Sequence, residues 1–219
     1  MLYNTVNHAH LPKPKEMQKC CKSLAVLDAI LSPEWEYRYY SYNAHWNTAE
    51  AVFQMQDGSG DAFFILFQPD GAVINGFAHE LYDFEENLPN KNKLTQGLPE
   101  RYSAFIFGEP VSSTGTTYCL WTNKQQAWTL GEVEYDTDGS ADQLFILDGN
   151  PQTYLEWALD YHWDGEEEEI TPAKIHAIQA IYKGETLTKD LVLALNSEFE
   201  DWQQLQLDLQ QIQYPNALS

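Results

Sequence analysis

The chain has 219 residues and a formal net charge of −21, with 12 Lys and Arg against 33 Asp and Glu; 43% of it is hydrophobic and 14% aromatic. That apolar content supplies one real core and excludes disorder over most of the length. The acidity excludes a nucleic-acid or anionic-membrane partner and favours a basic one, and no apolar run approaches the ~20 residues of a membrane span.

Residues 1–13 are expected to form a mobile arm, and residues 14–219 a single domain. The arm has no hydrophobic stretch of the signal-peptide kind. Three cysteines, two of them adjacent at Cys20 and Cys21, do not make a disulfide framework, so a bacterial, reducing cytosol is the expected location. Residues 1–22 are locally basic, with Lys13, Lys15, Lys19 and Lys22 against Glu16.

From Pro14, apolar residues recur at Met17, Cys20, Cys21, Leu24, Leu27 and Leu31, a helical period that Ser32-Pro33 ends. Tyr37–Tyr42 reads as an aromatic strand. Some of Tyr37, Tyr39, Tyr40 and Tyr42 are expected to line a groove or contact, because they occupy both faces of one strand. Ala51, Phe53 and Met55 form one side of a second strand with a half-buried, period-two pattern. After the turn Asp57–Asp61, the run Ala62–Phe67 is apolar on both faces and reads as central. Pro69-Asp70-Gly71 turns the chain into a fourth strand, Ala72–Phe77. Connections this short predict an antiparallel meander.

Residues 81–97 are polar and irregular, and Pro99–Phe107 reads as a short helix. Thr116–Trp121 and Ala127–Tyr135 predict a hairpin, and Leu144–Leu147 a further apolar strand. Helical periods then take over. One helix starts at Asn150-Pro151, with Tyr154, Leu155, Ala158, Leu159 and Tyr161 as its apolar face. The acidic run Glu166–Glu169 is a loop. Later helices carry Ile175, Ile178, Ile181 and Tyr182, then Lys189–Leu195, then Trp202, Leu205, Leu209 and Ile212. The expected class is α+β: a mostly antiparallel sheet of about six to seven strands, with an N-terminal helix and C-terminal helices covering one face.

Familiar catalytic signatures are absent: there is no Gly-rich phosphate loop, HExxH, GxSxG or CxxC. Cys20, Cys21 and Cys119 read as core. Asp57-x-Ser59-x-Asp61 and Asp136-x-Asp138-x-Ser140 match the start of a calcium loop, but Gln68 and Leu147 stand where its bidentate Glu belongs, so both read as turns and no metal or cofactor is expected. His8 and His10 lie in the arm, and His162 and His176 in helices. His45 and His79 follow different strands of the meander and fall at opposite ends of the sheet. His79 shares its end with Asp57, Asp61 and Glu80. A His with carboxylates suffices for acid–base work or for a metal, and the same residues are also ordinary for a solvated sheet rim.

The segment Asp57–Asp61 followed by FFILF, Pro69-Asp70-Gly71 and GFAHE (76–80) resembles a group of bacterial proteins with no assigned function, as does LTKDLVLALN (187–196) before a helix ending at Tyr214-Pro215. That likeness runs from about residue 24 and implies no activity. Leu98-Pro99-Glu100 before a short helix, with strands ending in a DG turn, is similar to SUKH-type immunity proteins. That similarity implies an acidic α+β protein that binds and neutralises a toxin.

Two functions from different classes follow. The first is a non-enzymatic, immunity- or regulator-like protein that binds a basic protein. Its contact falls in the stretch Glu132–Glu169, which has thirteen acids and no Lys or Arg, with Trp163, Asp164, Glu166, Glu167, Glu168 and Glu169 as binding candidates. The alternative is a hydrolase or metal-dependent enzyme using His79 with Asp57, Asp61 or Glu80.

Overall fold

A computed structural model describes residues 3–81, 90–133 and 137–218. Among these, six strands form one antiparallel sheet in simple sequence order: β1 (Tyr40–Asn47), β2 (Glu50–Gln56), β3 (Ala62–Gln68), β4 (Gly71–Phe77), β5 (Tyr118–Thr122) and β6 (Trp128–Leu130). The expected meander is therefore present, with Phe53 opposite Ile65 and Ile65 opposite Ile74. The first strand starts later than its aromatic run suggests. Trp35–Tyr37 is a 3-10 turn, and the strand runs on through His45 and Trp46.

The helices are α1 (Pro14–Leu31), the short α2 (Lys91–Leu94), α3 (Ser103–Ile106), α4 (Val111–Thr114) and α5 (Ser140–Leu144), then α6 (Pro151–Trp163), α7 (Pro172–Tyr182), α8 (Lys189–Leu195) and α9 (Trp202–Ile212). Pro14 opens α1 where a missing N–H costs nothing. From Ser23 to Ile30 this helix is buried all round, because it lies between β1 on one side and α7, α8 and α9 on the other. Phe63, Ile65 and Phe67 of β3 face this layer. Ala62, Phe64 and Leu66 point the opposite way, into a second cluster closed by Tyr102, Phe105, Ile106 and Val111. Covers on both faces explain why β3 is apolar on both. Gly76 is required by packing: a Cβ there would sit 1.9 Å from Cζ of Tyr118, its neighbour across the β4–β5 pair.

Leu144–Leu147 corrects the sequence reading. It is not a strand but the end of α5 and a 3-10 turn, with Leu144, Ile146 and Leu147 buried. A four-residue apolar run carries no period, so it cannot separate the two states. The start of α5 is set by Asp138, whose carboxylate accepts from the N–H and the hydroxyl of Ser140. The hairpin of β5 and β6 is present but short; Tyr135 and Asp136 lie outside the described residues.

The described part of the N-terminal arm is packed against the domain. Thr5 donates its hydroxyl to Asp138 (2.6 Å) and its N–H to Ser140 (3.0 Å). Leu11 is buried, and Trp128 donates its indole N–H to the Pro12 carbonyl at 2.8 Å.

Candidate functional site

The loop between β2 and β3 is organised by Asp57. Its Oδ1 accepts the N–H groups of Ser59 (2.9 Å), Gly60 (3.0 Å) and Asp61 (2.9 Å), and its Oδ2 accepts the Ser59 hydroxyl. Such a closed turn needs left-handed backbone at Gly58 (φ 78°) and Gly60 (φ 124°). A Cβ on Gly60 would lie 2.9 Å from Cγ of His79, so the glycine also lets the imidazole rest on the loop.

His79 leaves β4 in a 3-10 turn and meets this loop through Asp61. Asp61 Oδ1 accepts the His79 N–H at 2.8 Å and pairs with Nδ1 at 2.8 Å. Its Oδ2 accepts from Nε2 of Gln143 at 3.2 Å, and Gln143 in turn accepts the Tyr118 hydroxyl at 2.7 Å. The bond to Asp61 raises the pKa of His79 above its ordinary value. Desolvation opposes the rise, and the charges of Asp61, Glu80 and Asp57 add to it. The fold therefore joins His79 directly to Asp61 and keeps Asp57 and exposed Glu80 as charged neighbours. No group of three or more His, Cys, Asp or Glu among the described residues is arranged to hold a metal ion.

Beside this loop runs an open groove of about 650 Å³, lined in part by Trp35, Tyr37, Tyr39, Tyr161, Asp57 and Asp61. Trp35 is 66% exposed and Tyr37 64%. Behind them Tyr39 meets Tyr161 edge-on at 5.0 Å, and Tyr161 stacks on Trp157 at 4.8 Å. The four tyrosines divide: Tyr37 and Tyr39 line the groove, whereas Tyr40 and Tyr42 are buried in the main core. Burial, then the charge of Asp57, holds the Tyr39 hydroxyl's pKa well above its usual range. Trp35 and Tyr161 were not legible as partners, because one precedes β1 and the other ends α6. The available signal was Trp35-Glu36-Tyr37, two aromatics outside any apolar period.

Arg38 fixes the aromatic loop. Its guanidinium donates to the carbonyls of Ser32 (3.1 Å) and Pro33 (2.9 Å) and to Asp208 Oδ2 of α9 (2.6 Å). Both side chains of this ion pair are 7% exposed.

At the opposite end of the sheet, His45 lines a separate groove with Lys15, Lys22 and Gln213, so His45 and His79 belong to different surfaces. The acidic candidates lie between α6 and α7. Glu167–Glu169 forms a 3-10 turn, and Asp164 caps α6 with left-handed backbone (φ 48°). Lys174 pairs with Glu169 at 2.8 Å and sits 4.7 Å over the Trp163 ring. Asp164, Glu166, Glu167 and Glu168 are exposed and have no ion-pair partner among the described residues.

In comparisons with known proteins, no family model, curated protein or solved structure matches this chain.

Proposed function

We propose that this chain is a non-enzymatic, immunity- or regulator-like binding protein of the bacterial cytosol, and that its acidic surface engages a basic protein partner. The carrying observation is the exposed, uncompensated run Asp164 and Glu166–Glu168 on a chain of net charge −21. Such a field steers a cationic partner and repels nucleic acid. Three buried, free cysteines support a reducing compartment. Among the described residues no helix is long and apolar enough to cross a membrane.

The hydrolytic alternative has the Asp61–His79 hydrogen bond in its favour, an arrangement that orients an imidazole for proton transfer. Against it, Asp57 commits both oxygens to its own turn. Cys20 and Cys119 have burial-raised pKa values of about 12, so neither thiol is poised as a nucleophile.

The test is capture at low and high salt, with the partner identified and rebound in purified form. A basic protein that is released as ions screen the field over a Debye length of about 8–10 Å is the expected result. Recovery of no basic partner, or salt-resistant binding to duplex DNA, overturns the proposal.

A further inference from the structure

We infer that the groove walled by Trp35, Tyr37 and Tyr161 seats an arginine side chain of the basic partner. This rests on the binding function proposed above and adds where contact is made and through which chemistry.

Single exposed aromatics are common, but here Trp35, Tyr37 and Tyr161 (66%, 64% and 43% exposed) open onto the same groove. The backbone that carries Trp35 and Tyr37 is tied down at Arg38. Arg38 ties the loop to two of its own carbonyls and to the buried carboxylate of Asp208, and Tyr161 is backed by its stack on Trp157. A tied loop and a backed Tyr161 ring lower the ordering cost of binding.

The charge around these faces is negative. Glu36, Asp57 and Asp61 line the groove; Asp57 holds its own turn and Asp61 pairs with His79, so exposed Glu36 is the carboxylate placed to accept from a guanidinium. Arg38 lines it too, but its charge is neutralised by Asp208 at 2.6 Å. Cationic side chains are drawn to aromatic faces, and a guanidinium is the better fit, because its plane stacks on a ring while its edge donates to a carboxylate. An ammonium offers a point charge without the plane. At about 650 Å³ the groove accommodates an arginine together with the residues beside it.

Two short peptides, identical except that one carries arginines and the other lysines, are titrated against the whole protein and against Trp35→Ala/Tyr37→Ala. Both replaced side chains are largely exposed, and an unchanged unfolding midpoint confirms that the double variant folds. The arginine peptide is expected to bind the native protein more tightly than the lysine peptide. The double variant should lose about tenfold in affinity and the preference with it. A second variant, Glu166→Gln/Glu167→Gln/Glu168→Gln, should slow association at low salt and keep the preference.

Unchanged, salt-sensitive binding by Trp35→Ala/Tyr37→Ala overturns the groove assignment and leaves the basic-partner function standing. Equal affinity for the two peptides, or tighter binding of a trimethyllysine version, overturns the arginine assignment. If neither peptide binds the native protein the inference fails, and salt-sensitive binding of a purified basic protein then shows whether the broader function fails with it.

Discussion

The carboxylate of Asp28 in α1 lies 3.7 Å from Nε2 of His162 in α6, and neither of the two facing atoms has a hydrogen-bond partner among the described residues. The other oxygen of Asp28 accepts the backbone N–H of Tyr40 at 2.7 Å, where β1 begins. A fully buried carboxylate thus joins the first helix to the first strand. Asp28→Ala strands the Tyr40 N–H in the core and should cost about 1–3 kcal/mol. Asp28→Asn retains an acceptor and should cost less. Urea unfolding of the two variants measures the difference.

The pH dependence of His79 follows from its bond to Asp61. The folded pKa is raised above the unfolded value, so the pair's stabilisation is fully present below about pH 6.5. It is lost as pH rises through the folded pKa. Asp61→Asn should move the NMR titration midpoint of His79 downward. Glu80→Gln should move it in the same direction by less, since Glu80 acts only through its charge.

The stripe on α9 is testable by contrast. Leu205 and Leu209 are buried at 1% and 0% exposure, whereas Leu207 on the same helix is 52% exposed. Replacing Leu205 or Leu209 by Ala should cost roughly 2–5 kcal/mol, and Leu207→Ala close to nothing. Trp202, half-buried and edge-on to Phe199 at 5.1 Å, extends the same stripe.

Thiol chemistry reports on the core. Burial raises the pKa of Cys20 and Cys119 to about 12 and that of Cys21 well above its usual value. None of the three should react with a thiol reagent at neutral pH in the folded protein, and all three should react in denaturant. Rapid modification of any one in the native state would show a local opening.

The meander was legible because Asp57–Asp61 and Pro69-Asp70-Gly71 are turn chemistry between apolar runs of strand length. The two-faced apolarity of Phe63–Phe67 correctly placed β3 inside the sheet. Counting reversals also put His79 beside Asp61 and away from His45. Leu144–Leu147 was misread because its context lies in Asp138 and Ser140, not in its own four residues. The role of the segment from Tyr102 to Val111 in covering the second face was hidden, since a short helical pattern does not name what it packs against. The groove was only half visible. Tyr37 stood out locally, but Trp35, Tyr161 and the Arg38–Asp208 pair meet through tertiary structure alone.

That last pair bears on how the molecule is assembled. Arg38 and Asp208 are separated by 170 positions. As the chain emerges from its N-terminus, the loop carrying Trp35 and Tyr37 is made long before the carboxylate that anchors it. In an unfinished chain the guanidinium stays in water, because burying it without its counter-ion would cost about 3–5 kcal/mol. The tie between the aromatic loop and α9 therefore has to wait until α9 is made. A product truncated before residue 208 would keep Trp35, Tyr37 and the bonds from Arg38 to Ser32 and Pro33, but not the tie of their loop to α9.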